Sequence, residues 1–183
     1  MLALAQPRSG DKTLTELALP TMRQLRDECR ETVQLGIRSG NSGVVLEQLE
    51  GLYPLRISVD VGLRFKLHNN APGKVLLAYT KEDQRDALLG TDPLEASTER
   101  TITQRDELKR ECERILKAGY AIDHAEADEG IHCIAAPILD RHQELAGMLW
   151  ISGPARRLTK EQFALRGKQV KSAAAEISKK LQG

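Results

Sequence analysis

The sequence offers little with which to build a cross-linked or metal-bound fold. Its three cysteines, Cys29, Cys112 and Cys133, are odd in number and far apart. That spacing suggests neither a disulfide framework nor a CxxC metal pair, and it fits a reducing compartment. The histidines at 68, 124, 132 and 142 are too scattered to form a metal site, and most of them read as surface residues. Neither metal nor cofactor is expected. Charge of one sign is also missing: 27 basic residues stand against 26 acidic ones, a formal net charge of +1. Without a large positive face, the chain by itself is not expected to hold DNA. No apolar run approaches the length of a membrane span, and the apolar residues 1–5 are far too short for a signal-peptide core, so a cytoplasmic protein with no membrane partner is expected. There is no internal repeat, low-complexity tract or interior linker. The 183 residues suit one domain with its own core and room for a terminal extension.

What is present is regular patterning. Residues 131–139 and 144–152 are nearly continuous apolar or small runs separated by the polar Asp-Arg-His-Gln of 140–143, the mark of a buried β-hairpin. Gly119 closes a preceding helical pattern in a left-handed conformation, so that residues 120–123 form a third strand leading into an exposed acidic loop at Glu126, Asp128 and Glu129. Asp123, His132, Cys133, Trp150 and Ser152 therefore fall on neighbouring elements. Strand alternation turns His132 and Cys133 to opposite faces, so they are no nucleophile–base pair.

Upstream, residues 7–11 read as a loop. Leu14, Leu17, Ala18, Met22, Leu25 and Cys29 then recur at helical spacing, with Pro20 expected to kink or divide that helix. Residues 32–37 and 44–49 alternate as a second hairpin around the turn chemistry of 39–43, and 55–61 reads as a further strand. Pro72 suits the first turn of a short helix. Thr80 with Asp83, and Thr103 with Asp106, resemble capping boxes; the second opens a helix that turns Leu108, Cys112, Ile115 and Leu116 inward. Thr159 with Gln162 opens the last helix, whose stripe of Phe163, Val170, Ala174, Ile177 and Leu181 suits packing on the sheet or on another subunit. Arg156 and Arg157 read as a solvated loop. The order of elements predicts an α+β domain with a mainly antiparallel sheet covered by helices.

Four motifs carry a resemblance: NAPGKVLLA from Asn70, GYAID from Gly119, GIHCIAAPILD from Gly130 and ISGP from Ile151. In this order and spacing they closely resemble the effector-binding domain of IclR-type bacterial transcriptional regulators, over nearly the whole chain. The resemblance implies a GAF/PAS-like α+β fold with a mainly antiparallel sheet of about six strands flanked by helices. It implies a linker-type helix region at 1–30 packing on the domain, the effector-binding domain at 31–183, and a winged helix-turn-helix outside this chain. Through that missing segment alone would operator DNA be a partner. It further implies homodimers or homotetramers and a small organic acid as effector, aromatic acids included, which modulates operator affinity.

Carried over by position, the resemblance implies an effector pocket lined by Ala71, Pro72, Gly73, Asp123, Cys133, Trp150 and Ser152, with Phe65 and Ile57 on its apolar walls. The loop entering a helix at Ala71-Pro72-Gly73 would offer backbone N–H groups to a carboxylate, although Pro72 has none to give. Trp150 stands where members that bind very small acids have a small polar residue, so its indole either fills the cavity or stacks on a flat ligand. Each position also has a plain structural reading: Cys133 as a buried thiol, Asp123 as a turn cap, Ser152 as a turn residue, Trp150 as core. No catalytic residue is expected. The alternatives are a cysteine-dependent enzyme of GAF-like fold using Cys133, and a dimerisation scaffold.

Overall fold

In a computed structural model, which describes residues 6–10 and 12–183, five helices cover both faces of one antiparallel sheet. The apolar residues 1–5 lie outside the described residues. At the start, strands β1 (Arg8–Ser9) and β2 (Lys12–Thr13) form a small hairpin, where the sequence predicted a loop. Gly10, at φ +56°, supplies the left-handed turn between them.

Helix α1 (Leu14–Cys29) begins with a capping box: Glu16 N–H donates to the Thr13 hydroxyl, and Thr13 N–H donates to the Glu16 carboxylate at 2.7 Å. Pro20 does not divide the helix. It lies on the exposed face, so water can solvate the Glu16 carbonyl that loses its intrahelical donor. The other boxes do not form. Helix α3 (Glu82–Leu89) is preceded by Lys81, and Thr80 instead donates its hydroxyl to Leu76 O. Helix α4 (Arg105–Ala118) starts after Gln104 with no side-chain cap, and its Leu116 is half exposed while Leu108, Cys112 and Ile115 are buried. Thr159 precedes a short 3-10 turn (Lys160–Gln162), not the long helix α5 (Phe163–Gln182) itself.

The main sheet contains β3 (Thr32–Ser39), β4 (Ser42–Leu49), β5 (Arg64–Phe65), β6 (Ala121–His124), β7 (Ile131–Leu139) and β8 (Leu145–Pro154) in the order β5-β4-β3-β8-β7-β6. Every pairing is antiparallel, and Gly119 closes α4 at φ +80° before β6. The strand predicted over 55–61 is absent. That segment is irregular and half exposed, and the last edge position goes to Arg64–Phe65. Its apolar residues are held by side-chain bonds rather than a ladder, such as the Thr32 hydroxyl to Ile57 O.

Alternation along the strands divides the core into two layers. Val33, Leu35, Ile134, Ile138, Leu149 and Ile151 face α1 and α5, whose apolar stripes meet over them. Cys133, Ala135, Met148 and Trp150 face the other way, toward α4 and α2 (Ala71–Ala78). Every residue of α2 is buried, as expected for a helix that is apolar on nearly all sides. No helix among the described residues is long and apolar enough to cross a membrane.

Candidate functional site

Two cross-strand rows on the α2 face build the site. In the first, Asp123 of β6 stands opposite Cys133 of β7, Cys133 opposite Ser152 of β8, and Ser152 opposite Thr32 of β3. Two residues along, the second row reads Ala121, Ala135, Trp150, Gln34 and Gln48. Between these rows, α2 and residues 57–65 lies a cavity of about 180 Å³. Phe65, Pro72, Asp123, Cys133, Trp150 and Ser152 all line it, as does Ile57. Ala71 and Gly73 do not. Gly73 lies under the Lys66–Leu67 backbone, where a Cβ would come within 2.7 Å of Leu67 Cα, so it serves the packing of the helix end. A larger cleft of about 330 Å³ at α5 is lined by none of the predicted effector-site residues.

The walls are aromatic and the floor is polar. Phe65 and Trp150 meet edge to face with centroids 5.7 Å apart. Beneath them, the Ser152 hydroxyl donates to Gln34 Oε1 at 2.7 Å and contacts Cys133 Sγ at 3.2 Å. Gln34 Nε2 donates to Gln48 Oε1, and Gln48 Nε2 donates to the Ser58 hydroxyl. A hydrogen-bonded chain thus runs from the cavity floor to the irregular segment around residue 58. Alternation in residues 32–37 signals that Gln34 shares a face with Thr32 and Gly36, but the sequence reading overlooked it.

The end of α2 has little left to offer an anion. Asn70 caps it by accepting from Gly73 N–H at 2.8 Å, Lys74 N–H donates to Asn70 O, and Pro72 has no N–H. The backbone cradle expected at Ala71-Pro72-Gly73 is therefore mostly occupied by the helix's own cap.

Asp123 is 1% exposed. Its Oδ1 accepts from Glu126 N–H at 2.7 Å, in a turn that places Ala125 at φ +59°. The Thr98 hydroxyl to Ala125 O and the Thr101 hydroxyl to Glu126 O hold that unfavourable conformation. Burial pushes the Asp123 carboxyl up to about 7; the Glu126 charge adds to the rise, while backbone N–H groups and Lys74 oppose it.

Glu126, predicted to be exposed, is buried, and with it Lys74, a residue the sequence reading passed over. The Lys74 ammonium donates to Glu126 at 2.7 Å, to Ile122 O at 2.7 Å and to Glu111 at 3.0 Å. Burial raises Glu126 above the usual carboxylate range. For Glu111 burial acts in the same direction, but Arg114 and Lys74 together outweigh it and hold the group low. A lone lysine inside NAPGKVLLA was the available signal: a helix otherwise apolar on all sides can bury an ammonium only if acceptors await it.

Cys133 is a poor nucleophile here. Burial pushes its thiol far up, the Asp123 charge adds to the effect, and only the contact with Ser152 opposes it. His132 points to the other face, where Nδ1 meets Leu158 O at 2.7 Å. His132 and His68 are buried, so half of the four histidines lie inside where most were expected at the surface. Arg157 is likewise no solvated loop residue: it holds the buried Glu31 through two bonds of 2.6 and 2.7 Å and lies over the Tyr53 ring. Asp128 and Glu129 are exposed as predicted, with Asp128 at the cavity mouth. Among the described residues, no group of three or more His, Cys, Asp or Glu side chains is placed to hold a metal ion.

Comparison with known proteins gives one consistent answer. Residues 10–179 match the family described as "Bacterial transcriptional regulator IclR C-terminal". The transcriptional repressor AllR of Escherichia coli is 32% identical over 168 residues, which cover 92% of this chain and 62% of AllR. The chain thus spans less than two thirds of the curated relatives that head the comparison. Among solved structures, IclR of Thermotoga maritima superposes with a TM-score of 0.87 at 32% identity, covering 94% of this chain and 70% of that one. The C-terminal domain of Escherichia coli KdgR superposes with a TM-score of 0.82 at 31% identity, covering 93% and 99%.

Proposed function

Since the chain belongs to the IclR family of bacterial transcriptional regulators, as their C-terminal domain, we propose that it senses a small organic acid in the cavity over Asp123, Cys133 and Ser152. The observation that carries this reading is the convergence of separate motifs on one cavity: Pro72 from the first, Asp123 from the second, Cys133 from the third and Ser152 from the fourth. A cavity of about 180 Å³ is small against the roughly 300–1,000 Å³ of drug-sized sites, and Phe65 already takes one edge of Trp150. Both features favour a short aliphatic acid over an aromatic one.

Ligand binding would act on a longer cytoplasmic regulator, a homodimer or homotetramer, in which residues 1–30 link residues 31–183 to a DNA-binding segment. The acid changes operator affinity by favouring one arrangement of subunits over another. The relatives are named as regulators and repressors, and the chemistry at Cys133 supports a role without catalysis, since burial and the neighbouring Asp123 both disfavour the thiolate.

Trp150 is the only tryptophan and lines the cavity, so it reports on the reading directly. Acetate, pyruvate, glycolate and benzoate are titrated while its fluorescence and the melting temperature are recorded. A ligand that binds only the folded state raises the midpoint in proportion to its saturation. If none of the panel moves either signal, the acid-sensing reading fails.

A further inference from the structure

Among the described residues, every charged residue lining the cavity is acidic: Asp123 lies on its floor and Asp128 at its mouth, and no Lys, Arg or His lines it. An organic anion entering here meets a buried carboxylate with no cation lining the cavity to pair with it, and away from bulk water the repulsion is weakly screened.

Several of the usual substitutes for a cation are already engaged. The three donors of the Lys74 ammonium are matched by Glu111, Glu126 and Ile122 O. At the α2 end, the Gly73 and Lys74 N–H groups are taken. The Gln34 amide donates to Gln48, the Asn70 amide to Lys66 O and Asn69, and the Ser152 hydroxyl to Gln34. A ligand hydroxyl could satisfy Asp123, but its carboxylate would remain uncompensated.

We propose that the cavity takes up its carboxylic-acid ligand together with one proton from solvent, held between the ligand carboxylate and the Asp123 carboxyl group. This rests on the reading of the cavity as an acid site. Net charge inside the cavity then stays unchanged on binding, and two carboxyl groups share one hydrogen bond. A dicarboxylate would need a second proton, so the site selects monocarboxylates.

The groups that act on Asp123 from its surroundings are known. Lys74 approaches from α2, backed by Glu111 and Arg114 of α4; Glu126 and the Ala127 N–H belong to the following turn, and Cys133 faces it from β7. Burial, the largest of these influences, brings the carboxyl to about 7, so the proton is readily available at neutral pH.

The test is calorimetry of acetate, pyruvate, glycolate and benzoate on the 183-residue chain, in two buffers of different ionisation heat, at about pH 6 and about pH 8.5. Near pH 8.5 about one proton is taken up per ligand, and near pH 6 almost none, because Asp123 already carries it. The Kd of a binding acid weakens about tenfold per pH unit above about 7. Asp123→Asn, which keeps an acceptor for Glu126 N–H, removes the uptake and levels the affinity. If that variant does not fold, the wild-type uptake decides alone. Equal affinity at both pH values without proton uptake overturns this inference and leaves the acid-sensing reading standing. Undiminished uptake in a folded Asp123→Asn overturns the assignment to Asp123. No acid binding at about pH 6, or tighter binding of ethylammonium than of any acid, overturns both.

Discussion

The indole of Trp150 on β8 lies so close over Gly36 of β3 that a Cβ at position 36 would stand 2.9 Å from two of its ring carbons and 2.6 Å from Val44 O. Gly43 makes the same room for Phe65, whose ring would meet a Cβ there within 2.2 Å. Both aromatic walls of the cavity are thus seated on glycines of a neighbouring strand.

Gly36→Ala therefore tips the indole toward the cavity or strains the β3–β4 pairing. Overpacking of this kind costs roughly 1–3 kcal/mol. The expected result is a lower melting temperature together with altered Trp150 fluorescence. A variant with wild-type emission and stability would show that the sheet yields without moving the ring.

Lys74→Met leaves Glu126 and Glu111 buried beside an apolar side chain. Removing one partner from a buried charge network costs roughly 3–5 kcal/mol at neutral pH. In the variant Glu126, already raised by burial, also loses the Lys74 contact that opposes the rise. Its folded value then lies well above its unfolded one, so stability present at acidic pH is lost as pH rises. Urea denaturation at several pH values should show the smallest deficit at the acid end.

Asp123 imposes a similar slope on the wild-type protein. Its folded value of about 7 exceeds the ordinary 3.8, so its contribution is present below the lower value and is lost as pH rises through the higher one. For a shift of this size the loss is on the order of 4 kcal/mol across that window. The difference in stability between wild type and Asp123→Asn, followed from acid to neutral pH, measures it. Parallel curves would show that Asp123 does not titrate across this window.

All three cysteines are free and buried, and burial raises each thiol, Cys29 to about 11. Since the thiolate is the reactive form, a disulfide reagent near neutral pH should find no fast-reacting thiol in the native protein and all three after denaturation. Rapid native labelling of Cys133 would revive the enzyme alternative.

Arg157→Ala strands Glu31, which is 5% exposed in its side chain, and frees Leu55 O from its only side-chain donor among the described contacts. The single variant should lose roughly 3 kcal/mol, and adding Glu31→Gln should recover part of it, because the uncompensated buried charge is the main penalty. Additive losses in that double-mutant cycle would mean the pair does not couple.

Much of this arrangement was legible along the chain. The apolar runs of 131–139 and 144–152, split by a polar turn, identify a hairpin and already separate His132 from Cys133, because successive side chains on a strand alternate by geometry alone. The α1 and α5 stripes identify the helices that cover one face. Local capping was less legible. Thr80 and Thr103 have the right neighbours at the right spacing, yet each helix starts one residue later than such a cap would place it, without a side-chain cap. The segment 55–61 alternates like a strand but lies beyond the last ladder position, so its pattern reflects contact with the cavity wall rather than pairing.

Pro72 joined the site through the family resemblance; by itself, the sequence determined the α+β class, the two faces of the strands and the neighbouring elements that carry Asp123, Cys133 and Ser152. It did so because periodicity and turn chemistry act over a few neighbouring residues. Only the tertiary structure decided that Lys74 meets Glu111 and Glu126, that Arg157 meets Glu31, and that no cation among the described residues lines the cavity beside Asp123. These pairings join residues 37, 52 and 126 positions apart. No local period encodes which distant charge will compensate a buried one; that is settled when the layers close and water leaves.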